Sequence, residues 1–472
     1  MSRGALLQLV AKNEIDDYLI DSDLKSSPFQ NTIKKTTNFS ESPCSFYPTG
    51  NCTWGDTIRF TVKRMGDLIT QMYLVLNLPA LSVKDIYDAP PSDQNEIDST
   101  LRVKWNNYIG NTIIEYVTLR IGGQIIDKLT GEYLQINTEI FDSGWSKMCM
   151  IGQHSSLTAP QTRIDEQYIY IPLRFFFCTD TAKALPIIAL EYHEVEVEVK
   201  LRTWHFTYLV LKQIDDVDIK SDGSTTTQVS KKNFQHTAYH ITQKTFNDIR
   251  LDCNFIFLDG EERVNMAKKR HEILITQTQQ LHIAVKSTDP IYLNFTNPIK
   301  ELFFVFQRTD YAELGELFNF SGKPMFIPMK NDLDSNITQI TDRLWNQIPD
   351  AHLLDTLSIE FNGIERVPVR DYKYWHYVQN YENYKARCDS NIYMYSFGLN
   401  SKENMGSCNF SMLDTVRLNV RLAVPDPGYG YLVQDVNTVT VGTQDPMTIS
   451  VYGNNYNIFV IESGMGGLMY TI

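Results

Sequence analysis

Two stretches of the chain, IIEYVTLRIGGQIIDKLTGEYLQI at 113–136 and LDTLSIEFNGIERVPVRDYKYWHY at 354–377, obey one pattern. In each, an alternating apolar run meets a glycine-centred turn, a second alternating run returns, and an aromatic-rich segment follows. Three further pairs recur in the same order. GDLITQMYLVLNL at 66–78 answers to TNPIKELFFVFQR at 296–308, EVEVEVKLR at 194–202 to DTVRLNVRL at 414–422, and NDIRLDCNFIFLD at 247–259 to NNYNIFVIESG at 454–464. A repeat of about 200 residues is too long for a solenoid unit and has the size of a whole domain. The chain reads as two copies of one β-domain, joined near a helix at 260–271.

Period-two alternation identifies the strands. Ile58, Phe60 and Val62 oppose Arg59, Thr61 and Lys63; Val195, Val197, Val199 and Leu201 oppose Glu196, Glu198, Lys200 and Arg202. Val416, Leu418, Val420 and Leu422 likewise oppose Arg417, Asn419 and Arg421. Such rows belong to strands with one face on a core and the other toward solvent or a neighbouring subunit. The 26 Tyr and 24 Phe suit a sheet better than long solvated helices. Turns are expected at Gly122-Gly123, Asn362-Gly363, Asp259-Gly260 and Gly453-Asn454-Asn455, where Gly and Asn supply positive φ. The clearest helical signal is GEERVNMAKKRH at 260–271, acidic at its start and basic at its end, as the helix dipole favours. The segments 84–100, 215–236 and 425–446 read as long exposed loops.

Most chemistry is disfavoured by what the residues lack. A net charge of -13 argues against nucleic acid, whose phosphates are bound by Lys and Arg; the basic MAKKRHE at 266–272 reads as the exposed face of a short helix. Seven cysteines without a CxxC pair suggest reduced thiols in a cytosol-like compartment. The apolar stretch in MSRGALLQLVAKNEIDDYLI is too short and interrupted for a signal sequence, and LFFVF at 302–306 is strand length rather than membrane-span length. Tyr192-His193-Glu194 and His271-Glu272 lack the second histidine of HExxH, and His236 and His240 read as loop histidines. GMGG at 464–467 follows the last expected strand and leads to no helix. The acid pairs Asp16-Asp17, Asp215-Asp216 and Glu261-Glu262 have no recognisable pocket, and GxSxG is absent. No catalytic, cofactor-binding or metal-binding residue is assigned, and no cofactor is expected. Six Asn-x-Ser/Thr triplets, at Asn38, Asn51, Asn294, Asn319, Asn336 and Asn409, are read as unmodified, those at Asn294 and Asn409 in strand-like segments.

A family resemblance runs through almost the whole chain. GALLQLVA at 4–11, KKTTNF at 34–39, RMGDLITQMYLVLNLPAL at 64–81, WNNYIGNTIIEYVTLRIGGQIIDKLTGEYL at 105–134 and IYIPLRFFFCTDTAKALPIIALEYHEVEVEV at 169–199 mark the first half. FLDGEERVNMAKKRHEILI at 257–275, LNFTNPIKELFFVFQ at 293–307, YSFGLNSKENMGSCNFSMLD at 395–414 and YNIFVIESGMGGLMY at 456–470 mark the second. In these the sequence resembles the major capsid proteins of large icosahedral double-stranded DNA viruses. The resemblance implies an all-β double jelly roll: two tandem eight-stranded antiparallel sandwiches with a short connecting helix. Its parts would be an N-terminal arm at 1–25 containing Leu6, Leu7, Leu9 and Val10, jelly roll 1 at 26–259, the helix at 260–270 and jelly roll 2 at 271–472.

The implied function is structural, with no enzymatic activity: a homotrimeric, near-hexagonal capsomer that tiles the virion shell and is assembled in the host cytoplasm. Its partners would be its own copies, neighbouring capsomers, minor capsid and penton proteins and the internal membrane, with no direct nucleic acid. The aromatic run DYKYWHYVQNYENY at 371–384 suits either a trimer contact or the core. The alternative is a glycan-binding or glycan-processing two-sandwich protein, since jelly rolls also serve lectins.

Overall fold

The structure, a computed structural model, describes residues 11, 37–50, 52–86, 100–141, 144–214, 233–237, 239–285, 290–309, 315–322, 325, 352–386, 388, 390–399, 406–423 and 447–470. Almost all of the arm expected at 1–25, most of the loops at 84–100 and 215–236, and the whole of 425–446 lie outside the described residues.

Among the described residues, sixteen of the strands build two sandwiches. The first holds β1 (Phe39–Phe46), β2 (Thr57–Val62), β3 (Leu68–Leu78), β4 (Ile114–Ile121), β5 (Gln124–Thr130), β6 (Gln167–Pro172), β7 (Val195–Leu201) and β8 (Ile249–Leu258). The second holds β9 (His271–Val285), β10 (Ile291–Tyr292), β11 (Pro298–Arg308), β12 (Leu354–Phe361), β13 (Ile364–Asp371), β14 (Tyr393–Ser396), β15 (Val416–Leu422) and β16 (Met447–Glu462). In the first, the sheets run β1-β8-β3-β6 and β2-β7-β4-β5; in the second, β9-β16-β11-β14 and β10-β15-β12-β13. Each number in the second order is the corresponding first number raised by eight. The pairings are antiparallel, and Leu185–Pro186 continues the edge that β6 makes on β3. This is the double jelly roll.

The copies agree down to their irregularities. Asn254 pairs with Gln71 and Phe255 with Ile69, skipping Thr70; Asn454 pairs with Glu301 and Asn455 with Ile299, skipping Lys300. In the other sheet, Leu119 pairs with Asp127 and Arg120 with Ile125, while Ile359 pairs with Val367 and Glu360 with Glu365. Bulges re-aim a strand and are inherited as features. Shared bulges therefore fix the register between copies. They correct one expected pairing, since the bulge on β3, opposite β8, aligns Asn254 with Asn454 and puts the equivalent of 247–258 near 447–458 rather than at 454–464.

Alternation converts directly into burial. Ile58, Phe60 and Val62 are buried while Thr57, Arg59 and Thr61 are exposed, and β15 alternates likewise. Both hairpin turns form as expected. Gly122 and Gly123 have φ of 57° and 81°, and Asn362 and Gly363 have 49° and 80°, the pair of left-handed residues a two-residue type I′ turn demands.

Three expectations need correction. Gly453, Asn454 and Asn455 make no turn but lie buried in the middle of β16, where polar partners described below satisfy the asparagines. Asp259-Gly260 is a helix start, with the Asp259 carboxyl accepting the Gly260 N–H at 2.7 Å. Gly464–Gly467 does not trail away, because Met465–Leu468 turns back to pair with β16. Strands β5 and β13 are each followed by helical structure: α1 (Gly131–Phe141) after β5, and wide π-type turns, Tyr374–Val378 and Asn380–Tyr384, after β13. The connecting helix α2 (Gly260–Lys268) buries none of its residues.

Candidate functional site

The chemistry of this molecule concentrates where the sandwiches meet. Strand β5 and helix α1 of the first copy pack against the β9-β16-β11 sheet of the second. On β11, Leu302, Phe304 and Phe306 join the second sandwich's own core, while Phe303 and Val305 turn outward into the first core. This explains the unbroken apolar run LFFVF. A strand covered on both faces loses the polar half of its alternation.

Rings fill the seam. Phe141 meets Phe303 edge-on at 6.0 Å and Tyr384 at 5.7 Å; Tyr133 meets Tyr452 at 5.4 Å; Phe176 meets Phe459 at 5.9 Å. Nine of the eleven residues of α1 are buried. Burying a side chain such as Phe303 contributes about 2–3 kcal/mol, so a few such rings suffice to lock the halves together.

Polar groups then fix their register. The Thr278 N–H donates to Asp127 Oδ1 at 3.2 Å, and Gln277 Nε2 donates to the Ile126 carbonyl. The Tyr133 hydroxyl donates to Asn454 Oδ1 at 2.7 Å, and the Tyr452 hydroxyl donates to Glu132 at 2.8 Å. Ser390 donates both its N–H, at 3.1 Å, and its hydroxyl, at 2.7 Å, to Glu139. Within the second sandwich, Glu301 holds this arrangement in place, accepting from Asn454 Nδ2 at 2.8 Å and from the Tyr384 hydroxyl at 2.9 Å. Burial pushes the Asp127 carboxyl up to about 7, against the N–H groups of Thr278 and Lys128 that favour its ionised form. Burial also raises Glu139 and Glu301, and drives the Tyr133 hydroxyl up to about 12.

The hairpin at Met465–Leu468 staples the same seam from its end. The Tyr192 N–H donates to the Gly464 carbonyl at 2.9 Å, the Gly466 carbonyl meets His193 Nδ1 at 2.9 Å, and the Leu468 N–H reaches Gln124 Oε1 at 3.3 Å. A polar cleft of about 370 Å³ opens between the copies, lined by Glu115, Lys128, Glu132, Arg202 and His282. Two of its groups are engaged structurally: His282 Nδ1 bonds Ser450 Oγ at 2.8 Å, and Arg202 Nε donates to the Thr112 carbonyl at 3.1 Å.

The residues weighed in the sequence for chemistry are not brought together. His193 belongs to the staple, and His271 opens β9. His236 is no loop histidine. It ends the short strand Asn233–His236, buried, with Nε2 at 2.8 Å from Glu316, while His240 lies exposed outside any strand. Glu261 and Glu262 stand in the first turn of α2; Asp16-Asp17 and Asp215-Asp216 lie outside the described residues. Among the described residues no group of three or more His, Cys, Asp or Glu is arranged to hold a metal, and no helix is long and apolar enough to cross a membrane. Asn319 is buried, with Nδ2 donating to Glu316 at 2.8 Å. Asn294 is exposed beyond β10, outside any strand; Asn409 lies in the short strand Cys408–Asn409, as expected, and caps the helical turn after it; Asn51 and Asn336 lie outside the described residues. The run at 371–384 divides, with Trp375, His376 and Tyr384 buried and Tyr377 and Tyr381 exposed.

Sequence reasoning missed the buried acids of the seam. Their one trace is a carboxylate inside an apolar strand run, as in IIDKL at 125–129. Comparison with known proteins points in the same direction as the strand order. Residues 27–259 match the family model described as the major capsid protein N-terminus, and residues 262–467 match that of the large eukaryotic DNA virus major capsid protein. The major capsid protein of Phaeocystis pouchetii virus is 26% identical over 99% of both chains, and that of Paramecium bursaria Chlorella virus 1 is also 26% identical over 99% of both. A quasi-atomic structure of the Paramecium bursaria Chlorella virus 1 capsid superposes with a TM-score of 0.68 at 22% identity, over 94% of this chain and all of the other.

Proposed function

Because the chain belongs to the major capsid proteins of large eukaryotic DNA viruses, and so is a structural component of the virion capsid, we propose that it works as a homotrimeric capsomer with a near-hexagonal outline. The observation that carries this is the repeated sandwich with its shared bulges. Three chains of two like domains present six like corners, and a threefold particle of that outline tiles a flat facet. We divide the chain into an arm at 1–25, jelly roll 1 at 26–259, a connector at 260–270 and jelly roll 2 at 271–472. In this reading the loops at 84–100, 215–236 and 425–446 form outward towers or intersubunit clasps. The arm lies beneath the capsomer, where minor capsid and penton proteins and the internal membrane meet the shell, and assembly takes place in the host cytoplasm.

The protein has no enzymatic activity in this reading, and its work is mechanical. The seam's ring contacts and buried hydrogen bonds favour a rigid unit over a catalytic cleft, and family membership favours the shell over glycan binding. Size-exclusion chromatography with light scattering tests the trimer. The expected mass is three times the chain's 54.5 kDa, and a stable monomer at micromolar concentration would sink it.

A further inference from the structure

Three of the seven thiols meet on the inner face of the first sandwich. Cys253 lies in β8 and is fully buried, Cys178 ends the helical turn Phe176–Cys178 and is buried, and Cys44 lies half-buried in β1. Burial raises the Cys253 thiol, and the neighbouring Cys178, Asp252 and Cys44 raise it further, so the sulfurs share one neighbourhood. All three are free thiols in this structure.

The register singles out one pair. Cys44 stands directly opposite Cys253 in the antiparallel ladder of β1 on β8. Opposed residues turn their side chains to the same face with Cα atoms about 4.5–5.5 Å apart, inside the roughly 4.4–6.8 Å span of disulfides. Their Cβ atoms, about 4.5–5.5 Å apart in such a pair, need to close only to about 4 Å. Strand β1 can yield that distance, because among the described residues it ends its sheet and pairs with β8 alone. The second sandwich answers the same place differently. With Asn254 aligned on Asn454, the equivalent pair is Gln279 opposite Gly453, and Gln279 is tied to the Thr296 backbone by hydrogen bonds of 2.8 and 2.9 Å.

We propose that Cys44 and Cys253 form a disulfide site that clamps β1 to β8 when the protein meets an oxidising small-molecule disulfide, of which glutathione disulfide is the model. The Cys44 thiolate attacks one sulfur of glutathione disulfide and releases one glutathione, leaving Cys44 joined to the other. The Cys253 thiolate then attacks the Cys44 sulfur and expels the second glutathione. Two protein thiols are oxidised, one glutathione disulfide is reduced to two thiols, and the two protein thiol protons end on the glutathione sulfurs. The second attack waits on local opening of the edge strand, since Cys253 is buried. A chain made among reduced thiols therefore folds with both sulfurs free and closes the bond in oxidising surroundings. The bond joins the first strand of the sandwich to its last and encloses the whole sandwich in one long covalent loop, the case in which a cross-link gains most. This goes beyond the capsomer reading and holds for a monomer or a trimer.

The test incubates the full reduced chain at pH 8 with glutathione disulfide, in urea below the unfolding transition so that access to Cys253 does not limit the reaction. After alkylation and digestion without reductant, mass spectrometry should recover the Cys44 peptide joined to the Cys253 peptide, and dithiothreitol should separate them. With urea removed, the oxidised protein should melt at least about 5 °C above the reduced one, and Cys44→Ala should abolish that gain. Cys253 joined to Cys178 instead, or Cys44 and Cys253 recovered as free thiols or glutathione adducts, would overturn the site. A joined pair with no rise in melting temperature would overturn the clamp.

Discussion

Asp127 offers the sharpest test of how the seam is held. It is buried and bridges the copies through the Thr278 N–H, and its carboxyl titrates at about 7 rather than 3.8. In the unfolded chain an aspartate is ionised above about pH 4. Between those values the folded protein binds more protons than the unfolded one, so stability falls as pH rises and levels off above about 7. The two titrations lie about three pH units apart, and each unit is worth about 1.4 kcal/mol. The ceiling on this group's contribution is therefore about 4 kcal/mol.

Asp127→Asn keeps the shape and the acceptor oxygen but cannot ionise. Its amide group leaves a donor to be satisfied, at a cost of about 1–3 kcal/mol that does not vary with pH. Urea unfolding of both proteins at one fixed protein concentration, from pH 4 to 8, separates the two effects. Wild-type stability minus variant stability should fall through pH 4 to 7 by up to about 4 kcal/mol. Glu139 and Glu301 are also raised, but they are present in both proteins and cancel. A flat or rising difference would refute the account.

Phe303→Ala removes a fully buried ring that touches Phe141 and Tyr384, and should lower the unfolding free energy by about 3–5 kcal/mol in urea titrations. Gly131→Ala would put a methyl carbon 2.1 Å from the Ile114 carbonyl oxygen, so the start of α1 must shift; soluble yield and melting temperature should both drop. Cys178 and Cys253 are buried, and burial raises both thiols, Cys178 to about 12. A thiol reagent should leave both unlabelled in the native protein at pH 8 and label them in urea.

The strands were legible because a half-covered sheet writes its environment into every second residue. Thr57–Val62 and Val416–Leu422 could be read from alternation alone. The junction was not, because it inverts those cues. Gly453-Asn454-Asn455 spells a turn, yet β16 runs straight through it. A side chain on Gly453 would strike the Phe295 ring at 2.9 Å, and Asn454 finds Glu301 and Tyr133. The glycine there serves close packing and the asparagine serves the partner domain, and neither need is local. Helix α1 was hidden for a related reason. It is buried almost all round, so it lacks the polar stripe that marks a surface helix. The 371–384 run could not be divided into core and surface from sequence because its wide turns depart from the 3.6-residue period.

The staple at Met465–Leu468 sets an order of events during synthesis. It grips Tyr192, His193 and Gln124, residues made some 270 to 340 positions earlier, and it follows all sixteen strands. A ribosome can release the first sandwich to collapse by itself, but its seam with the second stays unstapled until the polypeptide has been threaded out past residue 468. Nascent chains halted before the second sheet is made would leave the rings of Tyr133 and Phe141 without Tyr452, Phe303 and Tyr384, a natural target for chaperones that hold sticky surfaces apart.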